Sequence, residues 1–424
     1  MQKLIIKGNK PLRGEISIQG AKNSVLPILA STVLLTGKTV LENCPALSDV
    51  FCACRILAQL GVKATINGNT ALLECNQNDD AEISEELMLK MRSSIIFLGA
   101  TLGAKGRCTL YYPGGCELGP RPIDMHISAL RKMGVRITEK HGALICDTPS
   151  GITGAKINLP FPSVGATENI ILAAVKAKGE TVIYNAAREP EIKDLANFLN
   201  KCGAKIKNAG QSKIIIEGVA KLSGCEYSIM PDRIAAGTYI AAIAATRGEG
   251  IINRVNSEDM ESFLPVFEQM GCKLYPYSNK IYINAAHRLS SVKTIRTMPH
   301  PGFPTDIQAI TMAVLTKAQG TSVFVENIFE SRFRHVDALC KMGADIRVEG
   351  KAAIIEGVDE LSGARVGSTD LRGGAALVVA ALSATGKSEI YEISHIDRGY
   401  EAIENYLTAL GADIKREHIL KKDF

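Results

Sequence analysis

Two kinds of hydrophobic segment alternate along the chain. The first is apolar on every side and rich in small residues: VLPILASTVLL, IIFLGATLGA, IILAAVKA, IAAGTYIAAIAA, ITMAVLT and ALVVAALSA. A helix without a polar stripe offers no face to water and is buried all round. The second kind spaces its apolar residues for a single helical face and ends on a repeated phrase: LAQLGVKATI, LRKMGVRITE, LNKCGAKIKN, FEQMGCKLYP, LCKMGADIRV and LTALGADIKR. Its glycines, Gly61, Gly134, Gly203, Gly271, Gly343 and Gly411, recur at intervals of about 70 residues. Each glycine fits the left-handed cap that ends a helix, and the alternating residues after it fit a strand.

The buried segments end near Gly37, Gly106, Gly179, Gly248, Gly320 and Gly386, and each runs into a strand-like stretch such as KTVLEN or TSVFVEN. The pattern predicts an α/β protein of six units, each of about 70 residues, with a buried helix, an outer helix and about four strands. Three units per domain is the natural grouping, giving two domains. At equivalent places near the start of the six buried helices stand Lys22, Arg92, Gly165, Arg233, Asp306 and Arg372. Charge at a buried helix start is costly unless it meets a partner or a ligand. The same helix end presents free N–H groups and a positive dipole to anions. Any one of these residues serves equally well as a cap or salt-bridge partner. Charge at five of the six places favours a site for a polyanionic ligand, between the domains.

The 424 residues carry 49 Lys+Arg against 44 Asp+Glu, a net +5, with 46% hydrophobic and 22% charged residues. That is a folded chain with a mild basic excess. Aromatic residues make up only 5%, with no Trp, which argues against a nucleic-acid binder. The excess suits small anionic ligands, which a few focused cations hold. The longest apolar runs fall short of the ~20 residues that a membrane span needs. The opening MQKLIIKGNK is too short and too charged for a signal peptide. No membrane association and a cytoplasmic location are expected.

Familiar motifs fail on single residues. Gly386-Lys387-Ser388 ends like a P-loop, but Ala381 stands where its first glycine belongs, and Thr32 does the same before Gly37-Lys38-Thr39. Gly248 and Gly250 begin a dinucleotide fingerprint that Asn253 breaks. The seven His and eleven Cys show no metal-ligand spacing, so no metal and no cofactor is expected. One cysteine stands apart. Cys116 lies in the Gly- and Pro-rich stretch YYPGGCELGPRPID, an exposed loop with Arg121 in it. A thiol there is either an ordinary surface cysteine or one whose pKa nearby cations lower.

Read together, these segments carry a resemblance. GAKNSVLP (Gly20 to Pro27), MRSSI (Met91 to Ile95), PGGCELGPRPIDMHI (Pro113 to Ile127), SVGATEN (Ser163 to Asn169) and NAAREPEI (Asn185 to Ile192) are five of its pieces. PDRIAAGTY (Pro231 to Tyr239), HPGFPTDIQ (His300 to Gln308), DLRGGAAL (Asp370 to Leu377) and HIDRGYE (His395 to Glu401) are the others. Over essentially its whole length the chain resembles the enolpyruvyl transferase family. The resemblance implies a two-domain inside-out α/β barrel, each domain built from three βαβαββ repeats. It implies boundaries at 22-230 for the first domain and 1-21 plus 231-424 for the second, with the active site in the cleft and the Cys116 loop as a lid that closes over the sugar nucleotide.

The implied reaction moves the enolpyruvyl group of phosphoenolpyruvate to the 3′-hydroxyl of UDP-N-acetylglucosamine and releases phosphate, the first committed step of peptidoglycan synthesis. Such chemistry needs an acid near C3 of phosphoenolpyruvate, a base at the hydroxyl and cations for two anionic substrates. By resemblance Cys116 is the acid and a nucleophile that adds to C2, and Asp306 is the base. Lys22, Arg121 and Arg398 hold phosphoenolpyruvate, with Arg92 and Arg372 in the same cluster. Asn23 and Asp370 line the reacting centre. Arg121, Pro122, Ile123, Asp124 and Met125, then Phe161, Pro162, Ser163 and Val164, then Ile328, contact the uridine diphosphate part. Glu191, Arg233 and Arg332 fall in matching segments too, where a structural salt bridge is at least as good a reading. The resemblance also implies covalent inhibition by the epoxide fosfomycin at Cys116. Two other readings remain at this level: the shikimate-pathway transferase, which lacks the cysteine loop, and an idle paralogue that senses UDP-sugars.

Overall fold

A computed structural model describes residues 2–76, 80–114 and 123–418. The chain divides into two compact units, one running up to Gln19 and again from Pro231 onward, the other lying between Gly20 and Met230. Gly20 and Ala21, expected with the first strands, go with the helix they precede. The Ala21 amide donates to the Met230 carbonyl at 2.8 Å, within the second of these units.

Each repeat follows one path. A short strand leads into a buried helix, and a second strand returns parallel to the first. An outer helix and a hairpin follow, and the hairpin's last strand pairs antiparallel with the second strand. In one repeat Lys156–Asn158 pairs parallel with Glu180–Tyr184, which pairs antiparallel with Lys213–Glu217, and Lys205–Lys207 takes the edge. Among the described residues five sheets have four strands and one has three. The exception is the second repeat, where the expected first strand shrinks to a single parallel bridge between Glu82 and Thr109. The segment there reads Asp80-Ala81-Glu82, residues that are poor strand formers.

Strand exchange within each unit explains where the chain ends go. In the unit between Gly20 and Met230, the last strand Glu226–Ser228 joins Lys38–Glu42 and so completes the first sheet. In the other unit, Gln2–Lys7 lies between Lys387–Tyr391 and Asp413–His418, while Arg13–Ser17 pairs with Glu249–Asn253. The first two strands therefore belong to the sheets of the later repeats.

The six buried helices are Lys22–Ser31, Phe97–Lys105, Val164–Ala174, Arg233–Ala245, Thr305–Leu315 and Leu371–Ser383. Helix Arg233–Ala245 has every residue buried, as an all-round apolar sequence requires. Each unit has its own hydrophobic core around three of these helices. Small residues set how close the helices come. A Cβ built on Gly99 would sit 2.2 Å from the Asn169 carbonyl oxygen, so helix Phe97–Lys105 crosses helix Val164–Ala174 at contact only glycine permits. The six repeat glycines all have positive φ, from 84° at Gly61 to 104° at Gly203. Each ends its outer helix as a left-handed cap; the Ala204 amide, for example, reaches back to the Leu199 carbonyl at 2.9 Å.

Candidate functional site

In the unit between Gly20 and Met230, Lys22 opens its helix and places Nζ 2.9 Å from Asp49 Oδ2. Their side chains are only 11% and 4% exposed, so this is an ion pair withdrawn from water. Asn23 follows, half-buried. Arg92 begins its helix as a single 3-10 turn, Arg92–Ile96, before the α-helix proper at Phe97. Its Nη1 donates to the Pro113 carbonyl at 3.3 Å, which ties it to the segment entering the cysteine loop. Cys116, Arg121 and Pro122 lie outside the described residues.

On the far side of that loop, Ile123 is the buried N-cap of helix Asp124–Lys132, with Asp124 exposed and Met125 half-buried. Phe161 is exposed, Pro162 half-buried, and Ser163 caps the helix that Val164 begins, accepting from the Ala166 amide at 3.3 Å. Behind these residues a buried polar tie joins three helices. Asn169 Oδ1 accepts the Gly99 amide at 2.7 Å, while its Nδ2 donates to the Ile95 carbonyl at 2.9 Å and meets His126 Nδ1 at 2.7 Å. Nearby, burial pushes the Glu168 carboxyl well above its ordinary range, and the charges of Glu191 and Glu189 add to the effect.

In the other unit the acidic and basic residues converge. Asp306 stands in the first turn of helix Thr305–Leu315. Its Oδ1 lies 3.0 Å from Arg332 Nη2 and its Oδ2 lies 3.5 Å from Arg372 Nη2. Arg332 also reaches Asp370 at 4.0 Å and donates to the Thr305 carbonyl at 2.9 Å. Asp370 caps helix Leu371–Ser383 through the amides of Arg372 and Gly373, at 3.0 and 3.1 Å. Arg372 donates to the Tyr400 hydroxyl at 3.2 Å and stacks over its ring. Burial works against the Arg372 charge, but Asp306 and the Tyr400 hydroxyl outweigh it and hold its pKa above the ordinary range. Arg398 ends the 3-10 helix Ile393–Arg398, half-buried. Ile328 follows Glu326, whose Oε1 accepts the Ile328 amide at 2.7 Å.

Two buried histidines link stability to pH. His126 and His335 are both pushed down to about 4. Burial is the main cause at each. At His126 Arg92 adds to it and Asp124 opposes it; at His335 Asp370 opposes it and Arg332 adds to it. With folded pKa values below the unfolded value, the unfolded chain takes up protons first. Stability is therefore full above about pH 6.5 and falls as pH drops toward 4, by roughly 1.4 kcal/mol per pH unit for each histidine. Urea midpoints measured from pH 7 down to 5 are expected to fall, with a shallower slope in His126→Gln. A flat profile would contradict this assignment.

The whole chain has known relatives. The family model described as EPSP synthase (3-phosphoshikimate 1-carboxyvinyltransferase) matches residues 6–407. A protein of Caldanaerobacter subterraneus subsp. tengcongensis named UDP-N-acetylglucosamine 1-carboxyvinyltransferase 2 is 48% identical over 98% of this chain and 100% of its own length. The UDP-N-acetylglucosamine 1-carboxyvinyltransferase of Thermotoga maritima is 45% identical over 98% of this chain and 99% of its own. The chain belongs to the UDP-N-acetylglucosamine 1-carboxyvinyltransferase family. Solved enolpyruvyl transferases share its fold. The enolpyruvyl transferase NikO from Streptomyces tendae superposes with a TM-score of 0.89 at 21% identity over 99% of both chains. An EPSP synthase from Acinetobacter baumannii does so with 0.77 at 20% identity, over 99% of this chain and 100% of its own.

For this member of the carboxyvinyltransferase family, the structure brings Asp306, Asp370 and Arg372 into one charged cluster and adds Arg332 to it. Arg332, for which the sequence left a functional role and a structural salt bridge both open, pairs with an acid, and that acid is the expected base. Four residues in these networks escaped the sequence reading. Asp49 sits in an outer helix with no motif around it, and Glu326 looks like an ordinary strand-end residue. Asn169 and Tyr400 lie inside matching segments, which mark the stretch but not what either side chain meets.

Proposed function

We propose that this chain transfers the enolpyruvyl group of phosphoenolpyruvate to the 3′-hydroxyl of UDP-N-acetylglucosamine, releasing phosphate by addition and elimination. The observation that carries the reading is near-full-length identity of 45 to 48% with relatives that bear that activity in their names. The paired Asp306 supports it: a carboxylate held at both oxygens by guanidinium groups has a fixed direction, as a base must. The reaction makes the first committed precursor of peptidoglycan. Both substrates are charged and do not cross a bilayer unaided, which assigns the enzyme to the cytoplasm. Among the described residues no helix is long and apolar enough to cross a membrane.

In this reading Cys116 gives a proton to C3 of phosphoenolpyruvate, and C2 becomes cation-like. The sugar hydroxyl attacks C2 as Asp306 takes its proton. Loss of a proton from C3 then expels phosphate. Lys22, Arg121 and Arg398 grip the phosphate and carboxylate of phosphoenolpyruvate, Arg offering two parallel donors where Lys offers a point charge. The same reading assigns Asn23, Arg92, Asp370 and Arg372 to substrate binding. It assigns Ile123 to Met125, Phe161 to Val164 and Ile328 to contact with the sugar nucleotide.

The test is phosphate release from phosphoenolpyruvate that depends on UDP-N-acetylglucosamine. Release that instead required shikimate 3-phosphate would overturn the assignment, and no release with either acceptor would favour an idle sensor. Fosfomycin is expected to abolish turnover with a mass increase on the Cys116 peptide equal to one inhibitor molecule. Inactivation without that adduct would remove Cys116 from the mechanism.

A further inference from the structure

Glu326 is a carboxylate that nothing above assigns to the reaction. It follows strand Thr321–Val325 and is only 1% exposed. An ionised carboxylate at that depth is tolerable only with its oxygens hydrogen-bonded. Four donors serve it. Oε1 accepts the Thr297 hydroxyl at 2.9 Å and the amides of Ile328 and Phe329 at 2.7 and 3.1 Å. Oε2 accepts the Thr305 hydroxyl at 3.0 Å. Thr297 is itself locked, since its hydroxyl accepts the Asn327 amide at 2.9 Å and its carbonyl accepts Asn327 Nδ2 at 3.1 Å.

These donors are not a random set. Thr305 is the first residue of its helix and immediately precedes Asp306. Ile328 and Phe329 form the turn that follows Glu326, and Phe329 lies under the Arg332 guanidinium at 5.5 Å. Arg332 in turn holds the Thr305 carbonyl and Asp306 Oδ1. One side chain therefore fastens two segments with different expected duties: the helix start that aims the base, and the turn that meets the sugar nucleotide. Both oxygens act as acceptors. An amide in its place keeps one acceptor oxygen and loses the charge that strengthens all four bonds.

We propose that Glu326 is a positioning residue that couples placement of the Asp306 base to the Ile328 turn, so that sugar-nucleotide binding and proton removal share one anchor. The proposal rests on the reaction assigned above. Its two arms are separable. Thr305→Val cuts the link to the base and leaves the Ile328 and Phe329 amides bonded. Glu326→Gln disturbs both arms.

The experiment uses the full chain and three readouts. Calorimetry gives Kd for UDP-N-acetylglucosamine alone, steady-state phosphate release gives kcat, and thermal unfolding gives Tm. Wild-type turnover comes first, because its absence defeats the assigned reaction whatever Glu326 does. With turnover present, Thr305→Val is expected to lower kcat about tenfold with Kd within twofold of wild type, and Glu326→Gln to lower kcat by more than tenfold and weaken Kd about tenfold. Glu326→Asp, which keeps the charge on a shorter arm, is expected to recover part of both. If Thr305→Val leaves kcat at the wild-type level, the coupling is wrong. If Glu326→Gln lowers Tm while kcat and Kd of the folded fraction stay unchanged, Glu326 only holds the fold, and the proposal fails.

Discussion

Asp306→Asn is expected to lower kcat by a factor of 10² to 10⁴, the range that general-base removal ordinarily costs, while Kd for UDP-N-acetylglucosamine changes by less than about tenfold. The amide is nearly isosteric and can still accept from Arg332, so the fold and the arginine cluster persist. What it cannot do is take the proton of the sugar hydroxyl. The variant leaves Arg372 and Arg332 with one neutral partner in place of a carboxylate. Some loss of stability follows, because a deeply buried guanidinium loses part of its compensation. A single-turnover experiment separates the effects. If the variant forms product in the first turnover as fast as wild type, Asp306 is not the base and the cluster is structural. A kcat within threefold of wild type, measured on protein of unchanged far-UV and near-UV dichroism, would say the same.

Lys22→Met is expected to be the more damaging change to the molecule as a whole. The substitution keeps the apolar stem but removes the ammonium 2.9 Å from Asp49, whose side chain is 4% exposed. Removing one partner of a buried pair takes away part of the compensation of the Asp49 charge, a loss that reaches about 3–5 kcal/mol. In a unit of this size that is a fall in Tm of roughly 10 °C. Turnover should fall about 10³-fold as well, because the same ammonium is expected to hold phosphoenolpyruvate. The double variant Lys22→Met with Asp49→Asn distinguishes the two roles. It removes the Asp49 charge together with the ammonium and should regain most of the lost Tm, yet remain inactive. Recovery of activity along with stability would mean that Lys22 serves the fold alone. A Tm unchanged in the single variant would mean that Asp49 does not depend on Lys22.

The repeat was legible because two independent periodicities carried it. The outer-helix glycines are forced by backbone geometry, since a left-handed cap with φ near 90° excludes most side chains. The buried helices are forced by their lack of any polar face. Both signals are local and survive without knowledge of the partner segments. The second periodicity slips at one place. At Gly248 it is Arg247, with φ 54°, that takes the left-handed position, because Gly248 lies against the Leu12 backbone, where a Cβ would sit 2.2 Å from the carbonyl oxygen. The glycine is kept there for close approach, a reason that depends on a segment more than two hundred residues away.

The same distinction governs the site. Lys22, Arg92, Asp306 and Arg372 could be picked out because a charge recurs at the start of a buried helix, and a recurrent position is visible in a linear string. Which residue each one meets could not. Asp49 for Lys22, Arg332 for Asp306, Tyr400 for Arg372 and Glu326 for Thr305 are each supplied by a different element, at separations that no motif spans. The sequence by itself determined the six repeats, the helix ends that carry charge and the family those motifs belong to, because each depends on residues close in the chain. Only the tertiary structure decided which acid meets which base. Ion pairs and buried hydrogen bonds are set by distances across elements, and those exist only once the helices and strands have packed.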